Sequence, residues 1–308
     1  MRRKISIVIP IYNEVLNIPI MVHSIEAVFS KLDYDYNIIY VDDGSKDDTI
    51  EKIKNYANQN KNIRFISFSR NFGHQNALKA GIDLSDGDAV ISMDGDMQHP
   101  PTLIPQLIKK WEEGNDIVYT IRLDTDNTSF VKKTTSNLFY QILNKLSSVE
   151  LEKGTADFRL LDKKVVNVFR EIKESDLFWR GLVKWMGFNQ ISIQYTAGDR
   201  VHGKSKYTYK KMKDLALKGI TSFSTKPLSI AIYIGLVSSL ASILFFLYAF
   251  ISYHMGHVIS GWTSIIIAIA FFGGLQLMVL GIVGLYLGKL FMQSKNRPQY
   301  IIKETNIS

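Results

Sequence analysis

The feature that most constrains this chain is a long block without formal charge near its C-terminal end. Residues 227–288 contain no Asp, Glu, Lys or Arg, and two apolar runs fill most of the block, at residues 228–253 and 262–288. A helix of about 20 apolar residues spans the hydrocarbon core of a bilayer, so each run is long enough to cross a membrane. The sequence therefore predicts two transmembrane helices joined as a hairpin, rather than two buried helices of a soluble protein.

The charges that flank this block predict its orientation. Lysines precede the first run, Lys289, Lys295, Arg297 and Lys303 follow the second, and the linker between the runs has no Lys or Arg. The positive-inside rule then places both chain ends in the cytoplasm of a multi-pass plasma-membrane protein. The formal net charge is +8, but eight basic residues are concentrated in residues 200–226, next to the first run. This placement favours a lipid surface as the partner and argues against nucleic acid.

Residues 1–120 alternate short apolar runs with helical patterns. Strand-like runs cover residues 5–10, 37–43, 63–68, 88–96 and 116–120, and helical patterns cover residues 17–31, 46–60, 74–84 and 102–111. Such alternation predicts right-handed β-α-β crossovers and an α/β domain with a mostly parallel, Rossmann-like sheet. The chain has no cysteine, which excludes disulfides and thiolate-bound zinc.

Polar clusters follow three of these strands, and ligands in such sheets bind outside the carboxyl ends of the strands. The clusters read PIYNE, DDGS and DGDMQ, at residues 10–14, 42–45 and 94–98. We therefore expect them to meet at one edge of the sheet. In the first cluster Tyr12 offers a face for stacking and Glu14 offers a hydrogen-bond acceptor. In the second, the paired aspartates either form an Asx turn that caps a helix or bind a base or ribose hydroxyl, and both roles can hold at once.

The third cluster is the candidate metal site. Asp94 and Asp96 are two residues apart, so in an extended backbone both carboxylates point to the same side. With an amide oxygen from Gln98 they offer hard ligands that suit Mg²⁺ or Mn²⁺. A solvated turn is the alternative, and the position at a strand end beside two other acidic clusters favours the metal site. His99, next to Pro100, is interpreted as a turn residue and not as a ligand.

Several segments together resemble a known enzyme family. They read IVIPIYNE, YVDDGSKDDT, RNFGHQNALKAGID, MDGDMQHPP, DFRLLD and RVHGKSKY, and two C-terminal membrane helices follow them. The chain resembles the polyprenyl-phosphate glycosyltransferases of glycosyltransferase family 2, a group that includes dolichyl-phosphate mannose synthases and bactoprenol glucosyltransferases. The resemblance implies a GT-A catalytic domain over residues 1–206, an interfacial helix over 207–226, two membrane helices within 227–290 and a cytoplasmic tail over 291–308.

The resemblance also implies roles for individual residues. The nucleotide sugar would be held by Pro10, Tyr12, Glu14, Asp43, Asp94 and Lys204. The divalent metal that bridges its diphosphate would be held by Asp94, Asp96 and Gln98. The residues implied near the acceptor phosphate are Arg122, Asp157 and Arg200, and the group expected to carry catalysis is Asp94, Asp157 and Arg200. The sequence departs from the family pattern at His99, where many relatives have Asp, and at Gly95, where many have Ala.

A lipid phosphate needs little activation as a nucleophile, because its second pKa is about 6 and it is mostly anionic near neutral pH. We expect it to displace the nucleoside diphosphate directly, with inversion at the anomeric carbon. A metal would stabilise the leaving diphosphate, and Arg122, Lys132 and Arg200 are candidates for screening charge. Lys132 and Ser136 are four residues apart and would share one face of a helix, although that helix could equally be an ordinary surface helix. Asp157 is either a base or a group that only orients Arg159 or Arg200.

The donor and partners follow from resemblance alone. UDP-glucose and UDP-N-acetylglucosamine are the expected donors, ahead of GDP-mannose, and undecaprenyl phosphate is the expected acceptor. Residues 207–223 predict an interfacial helix on anionic lipid. Residues 177–188 predict either a second interfacial element or tryptophans in the core. The Gly284-x-x-x-Gly288 pattern permits close helix packing and is weak support for a homo-oligomer. A flippase and a downstream glycan transferase are possible further partners.

Two other functions compete with this one. A processive polysaccharide synthase would carry a Gln-x-x-Arg-Trp motif and usually more membrane helices, and this sequence has neither. A non-catalytic membrane scaffold would have no reason to keep the metal-binding and phosphate-binding groups together, as they are kept at Asp94, Asp96 and Arg200.

Overall fold

The computed structural model describes residues 2–123, 144, 152–196, 219–256 and 261–307. Eight strands form one sheet in the order β7-β5-β6-β4-β1-β2-β3-β8. Their bounds are Lys4–Ile11 (β1), Asp35–Asp42 (β2), Ile63–Phe68 (β3), Ala89–Ser92 (β4), Ile117–Arg122 (β5), Thr155–Asp162 (β6), Gln190–Tyr195 (β7) and Ile302–Thr305 (β8). The central pairs β4-β1, β1-β2 and β2-β3 are parallel, as is β5-β7, whereas β6 and β8 are antiparallel to their neighbours.

Helices cover both faces of the sheet. Their bounds are Asn17–Phe29 (α1), Thr49–Gln59 (α2), His74–Asp83 (α3), Ile104–Glu112 (α4), Lys163–Glu171 (α5), Trp179–Trp185 (α6), Lys226–His254 (α7) and Trp262–Ser294 (α8). Side chains alternate across the pleat of a strand, so on β1 Ile7 and Ile9 pack with α1 and α4 while Val8 packs with α3, α5 and α6. Residues 5–11 of β1 are all buried, and Ser6 is the one polar side chain among them.

The predicted α/β fold is confirmed, and the first five strands and four helices lie close to their expected bounds. One prediction about the site is wrong: the fourth strand ends at Ser92, so Asp94 and Asp96 are not in extended strand backbone. The apolar run continues through Met93, which is buried, but the chain then turns, and Met97 has a positive φ of 62°. Antiparallel β6 and the terminal strand β8 were not expected from the sequence.

The two apolar runs form α7 and α8. Lys226–His254 and Ile265–Ser294 are long and apolar enough to cross a membrane, and the most apolar stretch of each is almost entirely unburied within the described chain. The Tyr286 hydroxyl, late in α8, donates a 2.7 Å hydrogen bond to the carbonyl of Ser224, just before α7. The start of one helix therefore lies beside the end of the other, as the hairpin prediction requires.

Several predicted residues lie outside the described ranges. They are Lys132, Ser136, Arg200 and Lys204, together with residues 207–218 of the expected interfacial helix. Residues 219–223 are helical. Of the two tryptophans in residues 177–188, Trp179 is 2% exposed and packs edge-on against Phe169 at 4.3 Å, whereas Trp185 is 62% exposed. The core interpretation is therefore confirmed for Trp179 alone.

Gly44, in the turn after β2, has a backbone that requires glycine. Its φ is +71°, and a Cβ atom there would lie 2.6 Å from the carbonyl carbon of Arg70. Gly114 has a φ of +95°, but a Cβ atom there would meet nothing within 4 Å. A side chain at position 114 therefore has only the cost of a left-handed backbone, whereas a side chain at position 44 also clashes with the neighbouring loop.

We expect Gly44→Ala to destabilise the protein more than Gly114→Ala does. The left-handed conformation costs an alanine about 1–2 kcal/mol, and backbone atoms near Gly44 cannot move aside as a flexible side chain would. Thermal unfolding of the detergent-solubilised full chain measures both variants. A melting temperature for Gly44→Ala equal to that of Gly114→Ala would contradict the close approach.

Candidate active site

A cavity of about 330 Å³ lies at the carboxyl ends of β1, β2 and β4. Its lining residues come from four separate segments: Pro10, Ile11, Tyr12, Glu14, Asp43, Asn71, Gly73, His74, Ala77, Asp94, Gly95 and Asp96. Parallel pairing of β1 with β2 and with β4 brings these segments together. The predicted meeting of the three polar clusters at one edge of the sheet is therefore observed.

The first two clusters are fastened to each other by side-chain hydrogen bonds. The backbone N–H of Asn13 donates to the Ser45 hydroxyl at 2.9 Å, and the backbone N–H of Lys46 donates to the Asn13 side-chain oxygen at 2.8 Å. The Glu14 N–H donates to the Thr49 hydroxyl at 3.0 Å. These bonds fix the loop that carries Tyr12 and Glu14 along one wall of the cavity.

The two aspartates of the second cluster make different contacts. Asp42 accepts the Ser45 N–H at 3.0 Å, which is the Asx-turn role. Asp43 accepts the N–H groups of Phe72 and Gly73 at 2.6 Å and 3.0 Å, and it also lines the cavity. Burial raises the pKa of Asp43 above its ordinary value, although these two N–H groups oppose that effect. Asp43 thus holds the loop between β3 and α3 against the cavity.

The loop after β4 folds back onto His99. The Asp94 N–H donates to Nδ1 of His99 at 2.9 Å, so the proton of a neutral ring is on Nε2. The His99 ring is buried and stacks on Phe158 with ring centres 5.3 Å apart. The Gln98 N–H donates to Oδ1 of Asp96 at 3.2 Å. His99 is therefore a turn residue, as predicted, and its buried ring anchors the loop that presents the two aspartates.

Asp94 lies between two imidazole rings. Nε2 of His74, at the start of α3, is 2.9 Å from one Asp94 oxygen, and Nε2 of His99 is 3.7 Å from the other. Burial would raise the pKa of Asp94, but His99 and His74 outweigh it and hold that pKa well below its usual range. Desolvation lowers the pKa of His74, and the ion pair with Asp94 outweighs that effect and raises it to about 9. At neutral pH Asp94 is ionised and His74 is a cation at the edge of the cavity.

Asp157, on β6, is engaged by two arginines. Arg180 of α6 donates from Nε at 3.1 Å and from Nη2 at 3.2 Å, and Arg159 approaches to 3.4 Å. Burial raises the pKa of the Asp157 carboxyl, but Arg180 and Arg159 outweigh it and leave that pKa below its ordinary value. The orienting partner is thus Arg180 together with Arg159, one of the two partners that the sequence suggested.

Arg122 is the last residue of β5 and is exposed. Its Nη1 lies 3.5 Å from the side-chain oxygen of Gln98. The third expected metal ligand is therefore turned toward Arg122 in this structure.

Comparisons with known proteins identify the family of the chain. The family described as Glycosyl transferase family 2 matches residues 6–169, more than half of the chain. The chain belongs to glycosyl transferase family 2. The glycosyltransferase YkcC of Bacillus subtilis is 38% identical over 97% of this chain and 93% of its own length.

A prophage-derived bactoprenol glucosyl transferase of Shigella flexneri is 38% identical over 98% of both chains. Among solved structures, mannosyl-3-phosphoglycerate synthase from Rubrobacter xylanophilus is similar with a TM-score of 0.49 at 17% identity, over 71% of this chain and 73% of that chain. Membership of glycosyl transferase family 2 makes this chain a transferase enzyme, and its mixed, mostly parallel α/β sheet is that of a GT-A-like catalytic domain.

The donor set of this glycosyltransferase fits a hard divalent cation that shares its ligands with a substrate. Within the described ranges, no three His, Cys, Asp or Glu side chains are arranged to hold a metal ion. Asp94 and Asp96, however, line the same cavity from one short loop. Mg²⁺-type ions are usually bound by one or two carboxylates, with waters and phosphate oxygens completing the shell. Two carboxylates beside a cavity are what such a site requires.

Two residues of the site were missed from the sequence, His74 and Arg180. His74 lies in the quoted segment RNFGHQNALKAGID, but it is 20 residues from Asp94 and no local pattern connects the two. Arg180 lies in the segment DLFWRG, which lacks the Gln and the order of the synthase motif. A useful signal is its place among apolar residues in LFWRGLVKW, because a basic residue in such a segment usually has a buried partner.

We expect Asp157→Asn to destabilise this glycosyltransferase more than Arg180→Met does, because it leaves the buried Arg159 without its carboxylate, whereas Arg180→Met leaves Asp157 paired with Arg159. Removing one partner of a buried ion pair costs about 3–5 kcal/mol, and the exposure of the Arg180 side chain, 29%, reduces that figure for the pair of Arg180 with Asp157. The loss in the double variant should be smaller than the sum of the two single losses, since the interaction between Arg180 and Asp157 can be lost only once. Thermal unfolding of the four proteins measures this coupling, and strictly additive losses would contradict it.

Proposed function

We propose that this glycosyltransferase moves glucose from UDP-glucose to a polyprenyl phosphate such as undecaprenyl phosphate. The observation that carries the proposal is the pair Asp94 and Asp96 beside a cavity at the strand ends, in a chain whose relatives over nearly the whole length include bactoprenol glucosyl transferases. Those relatives favour glucose over the second expected donor, UDP-N-acetylglucosamine.

The residues around the cavity have distinct tasks in this proposal. Pro10, Tyr12, Glu14 and Asp43 line the wall where the nucleoside would bind, and Lys204 is a further expected contact. Asp94 and Asp96 would hold Mg²⁺ or Mn²⁺, with Gln98 as a third ligand if its side chain leaves Arg122. Such an ion would neutralise the negative charge that develops on the leaving diphosphate. His74, cationic beside Asp94, adds a positive charge at the same edge.

The acceptor phosphate would be positioned by cationic side chains and one hydroxyl. Arg122 at the end of β5 is the described residue in this group, and Lys132, Ser136 and Arg200 are the others expected. Asp157 is a poor candidate for a base. Arg180 and Arg159 stabilise the ionised form of its carboxylate, which makes the carboxylate a weak proton acceptor. We infer that Asp157 orients Arg180, and that the lipid phosphate attacks the anomeric carbon without a protein base, inverting the centre.

The helices α7 and α8 would anchor this reaction at the membrane. We propose that they span the bilayer as a hairpin, with both chain ends and the catalytic domain in the cytoplasm. Residues 207–223 would then lie at headgroup level, where the lipid presents its phosphate. Cβ atoms added at Gly284 or Gly288 would meet nothing within 4 Å in the described chain. The homo-oligomer, the flippase and the downstream glycan transferase remain predictions.

A transfer assay tests this function directly. Full-length protein in detergent, given UDP-glucose and undecaprenyl phosphate, should form a glucosyl lipid, and the yield should fall at least about 100-fold in EDTA, as expected for loss of several kcal/mol of transition-state stabilisation. Excess Mn²⁺ or Mg²⁺ should restore it. UDP-N-acetylglucosamine and GDP-mannose, tested under the same conditions, serve as the comparison donors. Failure to transfer any of the three sugars with metal present would contradict the proposal.

A further inference from the structure

The chain beyond α8 returns to the catalytic domain and docks on it. This segment, residues 295–307, is called the C-terminal strap here. Its strand β8 pairs antiparallel with β3, the edge of the remaining sheet, with Thr305 opposite Ile66 and Glu304 opposite Ser67. At its far end the Asn306 side-chain oxygen accepts the Phe65 N–H at 2.7 Å. The strap covers an edge strand that would otherwise expose unpaired backbone groups.

Tyr300 is the side chain that inserts most firmly into the domain. Its ring stacks on Phe68, the last residue of β3, with ring centres 5.3 Å apart and planes at 10°. Its hydroxyl donates to Asp83 at 2.9 Å. Asp83 in turn pairs with Lys79, which is buried against the ring of Phe169. Tyr300 therefore adds a hydrogen bond to the Asp83–Lys79 ion pair of α3, and its ring covers the ring of Phe68 at the end of β3.

The same Phe68 ring supports the donor-site loop, residues 69–73, which connects β3 to α3. Phe72 packs edge-on against Phe68, with ring centres 5.6 Å apart. The N–H groups of Phe72 and Gly73 are the ones that Asp43 accepts. The strap also bonds to this loop directly, since the Ser69 N–H donates to the carbonyl of Ile301 at 3.0 Å. Contacts thus run without interruption from Tyr300 through Phe68 and Phe72 to Asp43.

The other end of the strap is fastened close to the membrane helices. Gln293, in the last turn of α8, donates to the carbonyl of Lys173 at 3.0 Å and accepts the Ser175 N–H at 2.8 Å. Gln299 donates to the carbonyl of Glu174. The strap therefore connects the end of the second apolar helix to the wall of the cavity.

We propose that Tyr300 is a positioning residue for the donor site: through Phe68 and Phe72 it holds the donor-site loop in the conformation that binds the nucleotide. The positioning role rests on the contacts above, and only its effect on nucleotide affinity rests on the proposed function. A stacked aromatic pair contributes enough to shift a local opening equilibrium about two- to tenfold.

Hydrogen–deuterium exchange of the full-length protein tests the positioning role without any ligand. We expect Tyr300→Leu, which removes the stack, to speed exchange of the Phe72 and Gly73 amides by about two- to tenfold. Tyr300→Phe keeps the ring and should stay within about twofold of the original protein. Thr305→Val is the matched control, because the Thr305 hydroxyl bonds only at the Phe65 end of the strap.

Affinity for UDP in the presence of Mn²⁺, measured by calorimetry on the same proteins, tests the consequence. Tyr300→Leu should weaken it by a factor similar to the change in exchange, while Thr305→Val leaves it unchanged. A purely structural role would lower the melting temperature of Tyr300→Leu with loop exchange and affinity unmoved, and that result would overturn the proposal. Equal effects of Tyr300→Leu and Thr305→Val on the loop would overturn it too. If the original protein binds no UDP, the proposed donor fails, and exchange still decides the role of Tyr300.

Discussion

The parallel pairing of β1 with β2 on one side and β4 on the other is the constraint on which the site depends. It brings the ends of three strands to one edge of the sheet, so PIYNE, DDGS and DGD become neighbours although 79 residues lie between the first and the third. Apolar side chains of β1 pack on both faces of the sheet, against α1 and α4 on one side and against α3, α5 and α6 on the other. This packing holds in place the strand on which the site is built.

Electrostatics at that edge is organised in two connected groups. Asp94 lies between His74 and His99, and Asp157 lies between Arg180 and Arg159. The groups that face each carboxylate hold its pKa below the ordinary value, so neither is suited to accept a proton near neutral pH. The arrangement suits a reaction whose nucleophile and leaving group are both phosphates, in which charge must be balanced and positioned. The same arrangement is poorly suited to a reaction in which a carboxylate must abstract a proton.

The central fold could be predicted from the sequence, because alternation of apolar runs is a local signal. Half of the residues that line the cavity could be named from the polar clusters at the strand ends and from the family resemblance. Pro10, Tyr12, Glu14, Asp43, Asp94 and Asp96 all line the cavity. What the sequence could not show depends on distant contacts. The turn after Ser92 depends on where the His99 ring packs, the charge of His74 depends on Asp94, and β8 is a four-residue strand that pairs with a strand more than 230 residues earlier. The periodicity of a short stretch of sequence contains no information about these distant contacts.

The loop that His99 anchors presents two carboxylates to the cavity, and the claim that they hold a cation together with a diphosphate is central. Electron paramagnetic resonance of Mn²⁺ titrated into the full-length protein tests it most directly, with and without UDP. The account predicts weak Mn²⁺ binding alone and binding at least about tenfold tighter with UDP, because phosphate oxygens complete the coordination shell. Asp96→Asn should lose this gain, whereas Asp33→Asn, at an exposed ion pair far from the cavity, should keep it. Tight UDP-dependent binding retained in Asp96→Asn would contradict the account.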